Sequence, residues 1–79
     1  MPTVLRIDGF RFFFYADEGN EPAHVHVEHG EDRAKFWLVP VSLAWADGFS
    51  ATEVNRVLKI VRENAEFLLE RWNEFFTRR

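Results

Sequence analysis

The spacing of hydrophobic residues changes once along this chain, and that change is the strongest constraint on its fold. Residues 3–39 alternate hydrophobic and polar side chains, whereas residues 50–77 repeat hydrophobic ones every three to four positions. The first pattern is typical of β-strands and the second of an α-helix. No linker or repeat separates the halves, and 79 residues make one domain. We therefore expect a single α+β domain over residues 1–79.

A β-hairpin is predicted near the N-terminus. Asp8-Gly9 lies between two hydrophobic runs, which is the strongest short-range hairpin signal. A two-residue turn there pairs Ile7 with Phe10 and, farther out, Val4 with Phe13. Because side chains alternate between faces, one face of the hairpin is hydrophobic. The expected core residues on that face are Leu5, Ile7, Phe10, Phe12 and Phe14.

Two further strands complete the predicted sheet. Turn-forming residues bound them, and Pro40 interrupts the last one. Residues 41–45 are expected to add at most a short extended segment. We expect a small, mostly antiparallel four-stranded sheet. Its later parts are a loop at 16–22, a strand at 23–29, a turn at 30–32 and a strand at 33–39.

The helical half has a well-specified start and an excessive length. Ser50 and Glu53 have the spacing of a capping box, in which each side chain bonds the other residue's backbone N–H. A continuous helix of about 27 residues would be about 40 Å long, whereas a domain of this size is about 30 Å across. The helix is therefore expected either to overhang the sheet or to break near Asn64, the weakest helix former near its middle.

Hydrophobic residues of this helix also predict a partner chain. On an overhanging helix, Trp72, Phe75 and Phe76 need a second surface to cover them. Ile60 and Phe67 lie to the side of the main hydrophobic stripe. We therefore expect a homodimer or a complex with a small cognate protein.

Composition narrows the functional classes. Without cysteine, the chain has neither a disulfide framework nor a thiolate metal site, and a cytoplasmic location fits this. It has no signal-peptide pattern and no stretch near the roughly 20 apolar residues of a membrane helix, so we expect no membrane association. There is no phosphate loop, dinucleotide fingerprint or Ser–His–Asp arrangement, and no cofactor is expected.

All three histidines lie within residues 24–29. On a strand, His24, His26 and Glu28 point to the same face. Side chains two apart are about 7 Å apart, so both imidazoles can reach one metal ion. Glu28, about 13 Å from His24, could join them only through a bulge. A metal-binding module with His24 and His26 as ligands is therefore one hypothesis.

A second hypothesis uses one histidine as a general base. With a pKa near 6.5, His24 or His26 could take a proton from a ribose 2′-hydroxyl, as in a metal-independent ribonuclease. Neighbouring cations would stabilise the charged intermediate. The simplest alternative is that both histidines only pack against Tyr15 or Trp37. The candidate stabilising cations are Arg11, Arg33 and Lys35.

The face of the sheet opposite the core, here called the outer face, combines basic and aromatic side chains, while most acidic residues lie in loops and on the helix. Such a face suits a phosphate backbone and unstacked bases, and it equally suits a protein interface. We expect it to bind a partner protein or RNA. The predicted binding residues are Arg6, Arg11, Phe13, Tyr15, Arg33, Lys35 and Trp37.

Five segments across nearly the whole chain carry a family resemblance: Met1-Pro2-Thr3-Val4, Gly9-Phe10-Arg11-Phe12, Pro22-Ala23-His24-Val25-His26-Val27, Ala34-Lys35-Phe36-Trp37-Leu38 and Gly48-Phe49-Ser50. They resemble the domain-of-unknown-function 4160 family of small bacterial proteins. Members often carry proline directly before the first histidine of this strand, where this chain has Ala23. The resemblance implies a component of a two-gene module of toxin–antitoxin type, with His24 and His26 as the family's histidine strand, and it implies no reaction.

These observations together predict a cytoplasmic bacterial interaction protein that binds a partner protein or RNA through the outer face. The ribonuclease and the metal-binding module remain the alternatives.

Overall fold

Five antiparallel strands pack against two helices in the computed structural model, which describes residues 3–77. The strands lie in chain order across the sheet, so each pairs with its neighbour in sequence. This confirms the α+β class and the antiparallel sheet, while residues 1–2 and 78–79 lie outside the described part. The elements are β1 (Thr3–Ile7), β2 (Phe10–Phe13), a 3₁₀ turn (Ala16–Glu18), β3 (His24–His29), β4 (Asp32–Leu38), β5 (Val41–Asp47), α1 (Ala51–Glu63) and α2 (Ala65–Thr77).

The fifth strand corrects the prediction of four. The chain reverses at Val39-Pro40, and β5 returns antiparallel to β4 over seven residues. Pro40 thus lies in a turn between two paired strands instead of ending the sheet. The strand pattern was weak in the sequence because small residues, Ser42, Ala44 and Ala46, occupy the alternate positions. The added strand brings Trp45 opposite Lys35.

The N-terminal hairpin forms at Asp8-Gly9 as predicted. Both turn residues have positive φ, 53° and 85°, as a two-residue type I′ turn requires. Ile7 pairs with Phe10, but the register shifts farther out, and Thr3 lies opposite Phe13. The predicted pairing of Val4 with Phe13 is therefore wrong. The register shift between Thr3 and Leu5 allows both Val4 and Leu5 to pack against the core.

Asn64 separates the two helices, so the predicted break is confirmed and the overhang is wrong. Its backbone N–H and its side-chain Nδ2 both donate to the carbonyl oxygen of Ile60, at 3.0 and 2.8 Å. The capping box at the start of α1 is also present, with Ser50 and Glu53 joined by reciprocal bonds of 3.0 and 3.1 Å. The break allows α2 to bury Leu68 against the core.

The core lies between the sheet and both helices. Three of the five predicted hairpin core residues, Phe10, Phe12 and Phe14, are fully enclosed, while Leu5 and Ile7 are partly buried at the edge strand. The helices contribute the buried residues Val57, Ile60, Val61, Leu68 and Trp72. Burying Ile60 and Trp72 within the chain removes much of the reason for expecting a homodimer. Neither helix of residues 3–77 has the length and hydrophobicity to cross a bilayer.

Candidate functional site: a glutamate between two histidines

His24 and His26 lie on the outer face of β3, as the alternating pattern predicts. Strand register fixes their neighbours: His24 pairs with Trp37, and His26 lies between Phe13 on β2 and Lys35 on β4. Side chains that share a face at these positions are close enough to touch. The sheet thus brings together several of the residues proposed from the sequence.

Both imidazoles are buried, although they lie on the face expected to be open. His24 is 0% exposed and His26 is 6% exposed. Aromatic side chains from the strands, from α2 and from the segment after β2 enclose them, with ring centroids 4.6–6.2 Å from the imidazole centroids. The rings around His24 are Trp37 and Trp72, and those around His26 are Phe13, Tyr15 and Trp45.

A carboxylate from the preceding loop joins the two histidines. Oε1 of Glu18 lies 2.7 Å from Nε2 of His24 and 2.7 Å from Nε2 of His26. Glu18 ends the 3₁₀ turn, and its side chain is 23% exposed. The sequence drew attention to Glu28 because it shares the histidine strand, but Glu28 lies in a different ion-pair network.

The orientation of the His24 ring is fixed from its other side. Nδ1 of His24 lies 2.9 Å from the carbonyl oxygen of Pro22. A carbonyl oxygen can only accept, so Nδ1 carries a proton and donates it. Nε2 of His24 then faces Glu18 with a lone pair unless it is also protonated. The contact between Nε2 and the carboxylate therefore requires a proton or a cation.

The electrostatics of the cluster favour an ionised carboxylate. Burial alone would raise the pKa of Glu18, but hydrogen bonds from His24 and His26 and their charges outweigh it, and the pKa lies below its usual value. Burial lowers the pKa of His26, and the bond to Glu18 offsets part of that effect. Glu18 is therefore negatively charged at neutral pH, whereas burial favours the neutral form of His26.

Three of the four cations predicted on the outer face, Arg11, Arg33 and Lys35, are paired with carboxylates. Glu28 lies 3.1 Å from Arg11 and 2.8 Å from Arg33, so one carboxylate bridges two guanidinium groups. Lys35 lies 2.7 Å from Glu21, which the loop at 16–22 supplies. The sequence predicted a basic face because most acidic residues lie in the loops and on the helix. The fold adds Glu18 and Glu21 to this face, where Glu28 was already expected, and the face is close to neutral.

The predicted binding residues differ in how accessible they are. Phe13 is buried beneath Arg11, and Lys35 lies 4.6 Å from the Trp37 ring centroid. Arg6 is exposed on the edge strand. Trp45, which the sequence did not single out, is 45% exposed and lies in the row of the sheet formed by Phe13, His26 and Lys35.

Comparison with known proteins identifies the family and no activity. No curated protein and no solved structure matches the chain significantly. A family model described as "Domain of unknown function (DUF4160)" matches residues 9–73, which include Glu18 and both histidines of the cluster. Because the match spans most of the chain, this protein belongs to the DUF4160 family.

Proposed function

We propose that this protein is a cytoplasmic interaction module that binds a partner protein through the outer face of its sheet. The partner in this proposal is the product of the neighbouring gene in a two-gene module of toxin–antitoxin type. The observation that carries the proposal is Trp45, a large aromatic side chain that is 45% exposed on the outer face of β5, an edge strand of the sheet. Tryptophan, tyrosine and arginine are the residues most enriched at the energetic centres of protein interfaces.

The charge pairing on this face favours a protein over RNA. Binding to a phosphate backbone depends on cations that replace the counterions of the nucleic acid. Here Arg11, Arg33 and Lys35 already have carboxylate partners within 3.1 Å. RNA would compete with those carboxylates, whereas a protein surface with alternating charges would complement them.

The same pairs hold the face in a defined shape. Lys35 is fixed between Glu21 and the ring of Trp37, and Arg33 is fixed by Glu28 and the hydroxyl of Tyr15. Side chains that are already ordered lose less conformational entropy when a partner binds. The face therefore resembles a preorganised interface more than a mobile charged surface.

The ribonuclease alternative receives less support from the geometry. A general base must come within hydrogen-bond reach of the substrate proton. His24 has no exposed surface, and both Nε2 atoms are occupied by Glu18. A nuclease would need the loop at 16–22 to open before either imidazole could act.

A binding measurement with one variant and a matched control tests the proposal. We expect Trp45→Ala to weaken affinity for the cognate protein at least about tenfold in calorimetry, because such tryptophans are frequent hot spots. Phe67→Ala is the control, since Phe67 is 41% exposed but lies on α2. Equal affinity for wild type and Trp45→Ala would contradict the proposal.

Two further measurements distinguish the other possible occupants of the face, RNA and a second copy of this chain. Fluorescence anisotropy with single-stranded RNA reports nucleic-acid binding, and light scattering reports a homodimer. Tight RNA binding that depends on Arg11 and Lys35, or a dimer that Trp45→Ala dissociates, would replace the cognate protein as the partner.

A further inference from the structure

Three metal-binding atoms from two separate segments meet beneath the outer face. Nε2 of His24, Nε2 of His26 and a carboxylate oxygen of Glu18 all lie within 4.8 Å of one another. The histidines come from β3, and the carboxylate comes from the 3₁₀ turn that precedes it. The fold therefore completes a set of ligands that the strand alone could not supply.

We propose that Glu18, His24 and His26 bind a divalent transition-metal ion. Two imidazole nitrogens and one carboxylate oxygen are a set used for zinc and for non-haem iron or manganese, and no soft sulfur ligand biases the site towards copper(I). This inference is independent of the partner-binding proposal, because it concerns a buried cluster and a different ligand.

The support behind His24 is of the kind found at metal sites. A ligating histidine usually donates its second ring N–H to a carbonyl or carboxylate, which fixes the tautomer and aims the other nitrogen at the metal. The Pro22 carbonyl accepts from Nδ1 of His24 at 2.9 Å, and Nε2 points at Glu18. The backbone thus presents the Nε2 lone pair to the centre of the cluster.

A metal cation would also compensate the negative charge of Glu18 inside the cluster. If its only proton is on Nδ1, His24 presents the lone pair of Nε2 to the Glu18 carboxylate 2.7 Å away, in surroundings made largely of aromatic rings. A charge buried without compensation is costly in such surroundings. Either a second proton on His24 or a metal cation between the ligands relieves the conflict.

The site can adjust to an ion and exchange it. In a tetrahedral site, metal–ligand bonds of about 2.0–2.2 Å place neighbouring ligand atoms roughly 3.3–3.6 Å apart. Glu18 would therefore move roughly 0.6–0.9 Å away from its present 2.7 Å contacts. Glu18 lies on a loop and keeps 23% of its side chain exposed, which gives an entry path. Water would complete the coordination, as at zinc sites with three protein ligands.

The test uses untagged full-length protein stripped with EDTA and returned to metal-free buffer. Zinc chloride is titrated by calorimetry, and cobalt(II) absorption reports coordination geometry. Wild type is expected to bind one ion per chain. Glu18→Gln and His26→Gln are expected to weaken binding at least tenfold and to remove the visible cobalt bands. Glu28→Gln, which changes the other carboxylate near the histidine strand, is expected to bind like wild type.

Circular dichroism of each variant establishes that it is folded, and Glu18→Gln keeps an oxygen that can still accept from the histidines. If a variant unfolds, the melting temperature of the wild type with and without zinc shows whether the folded protein binds the ion, because a ligand of the folded state raises that temperature. Absence of zinc binding and of any melting shift in the wild type would overturn the proposal. Equal zinc affinity in Glu18→Gln and wild type would overturn it as well. Either result would mean that Glu18, His24 and His26 are joined only by hydrogen bonds.

Discussion

The carboxylate of Glu18 lies 2.7 Å from Nε2 of His24, and no other described carboxylate comes as close to that buried ring. The contact ties the loop at 16–22 to His24, the first residue of β3. It also explains how a strand with two histidines can be buried without leaving their ring nitrogens unsatisfied, since no buried side-chain nitrogen or oxygen of residues 3–77 lacks a partner.

Removing this carboxylate should therefore destabilise the fold. For Glu18→Ala we expect a loss of about 1–3 kcal/mol in the free energy of unfolding, because two buried imidazoles lose their acceptor. Urea denaturation in EDTA measures the loss without metal. Asp17→Ala, an exposed change in the same 3₁₀ turn, should stay within about 0.5 kcal/mol of wild type. A similar effect for both variants would show that the loop, and not the carboxylate, matters.

Trp72 should be the most sensitive position of α2. It is 7% exposed and packs against Phe14 in the core and against the ring of His24. Trp72→Ala is expected to cost about 3–5 kcal/mol, as truncation of a buried aromatic residue usually does. Phe67→Ala on the same helix should cost less than about 1 kcal/mol, since Phe67 is 41% exposed and is not part of the core. Comparable losses in chemical denaturation would mean that α2 is packed differently.

The capping box should make helix α1 sensitive to acid. The backbone N–H of Ser50 donates to Glu53, and His29 lies 3.3 Å away, so the pKa of Glu53 lies below its ordinary value of 4.5. The Glu53 carboxyl therefore binds a proton less tightly in the folded state than in the unfolded state. The resulting stabilisation is complete above pH 4.5 and is lost as the pH falls through the lowered pKa.

Thermal melting between pH 7 and pH 3 checks this behaviour against Glu53→Gln, which retains a capping side chain without a charge. Wild type should melt higher than the variant near neutral pH, and the difference should shrink as acid is added. A difference that is constant across the range would contradict the assigned role of the ionised carboxylate.

Gly48, in the connection between β5 and α1, should tolerate no side chain. Its φ is 92°, and an added Cβ would collide with the carboxylate of Asp32. Gly30 has a φ of 63° but open space around it. Gly30→Ala should cost about 1 kcal/mol from backbone conformation alone, and Gly48→Ala should cost at least about 1 kcal/mol more. Equal costs would show that Asp32 moves aside freely.

Local signals in the sequence were sufficient to predict much of this fold. The Asp8-Gly9 turn, the capping box at Ser50 and the break at Asn64 each depend on residues within a few positions of one another. The identity of those residues restricts the local backbone geometry directly, so the structure agrees with the predictions made from them. The alternation of His24 and His26 likewise fixed their common face, because the period of a strand leaves no other arrangement.

Longer-range features could not be predicted in this way. Glu18 reaches the histidines because the chain folds back through the 3₁₀ turn, and nothing in the sequence distinguishes it from its acidic neighbours Asp17 and Glu21. The charge balance of the outer face depends on the same reversal. Trp45 was missed with the strand that carries it, since alanine and serine at the alternate positions obscured the pattern.

The most direct test of the partner-binding surface is an NMR titration of the ¹⁵N-labelled protein with its unlabelled cognate protein. The account predicts that the largest chemical-shift changes fall on Trp45 and its cross-strand neighbours on β4, including the indole N–H of Trp45. Changes concentrated on the exposed side of α2 around Phe67, with the sheet unaffected, would contradict it.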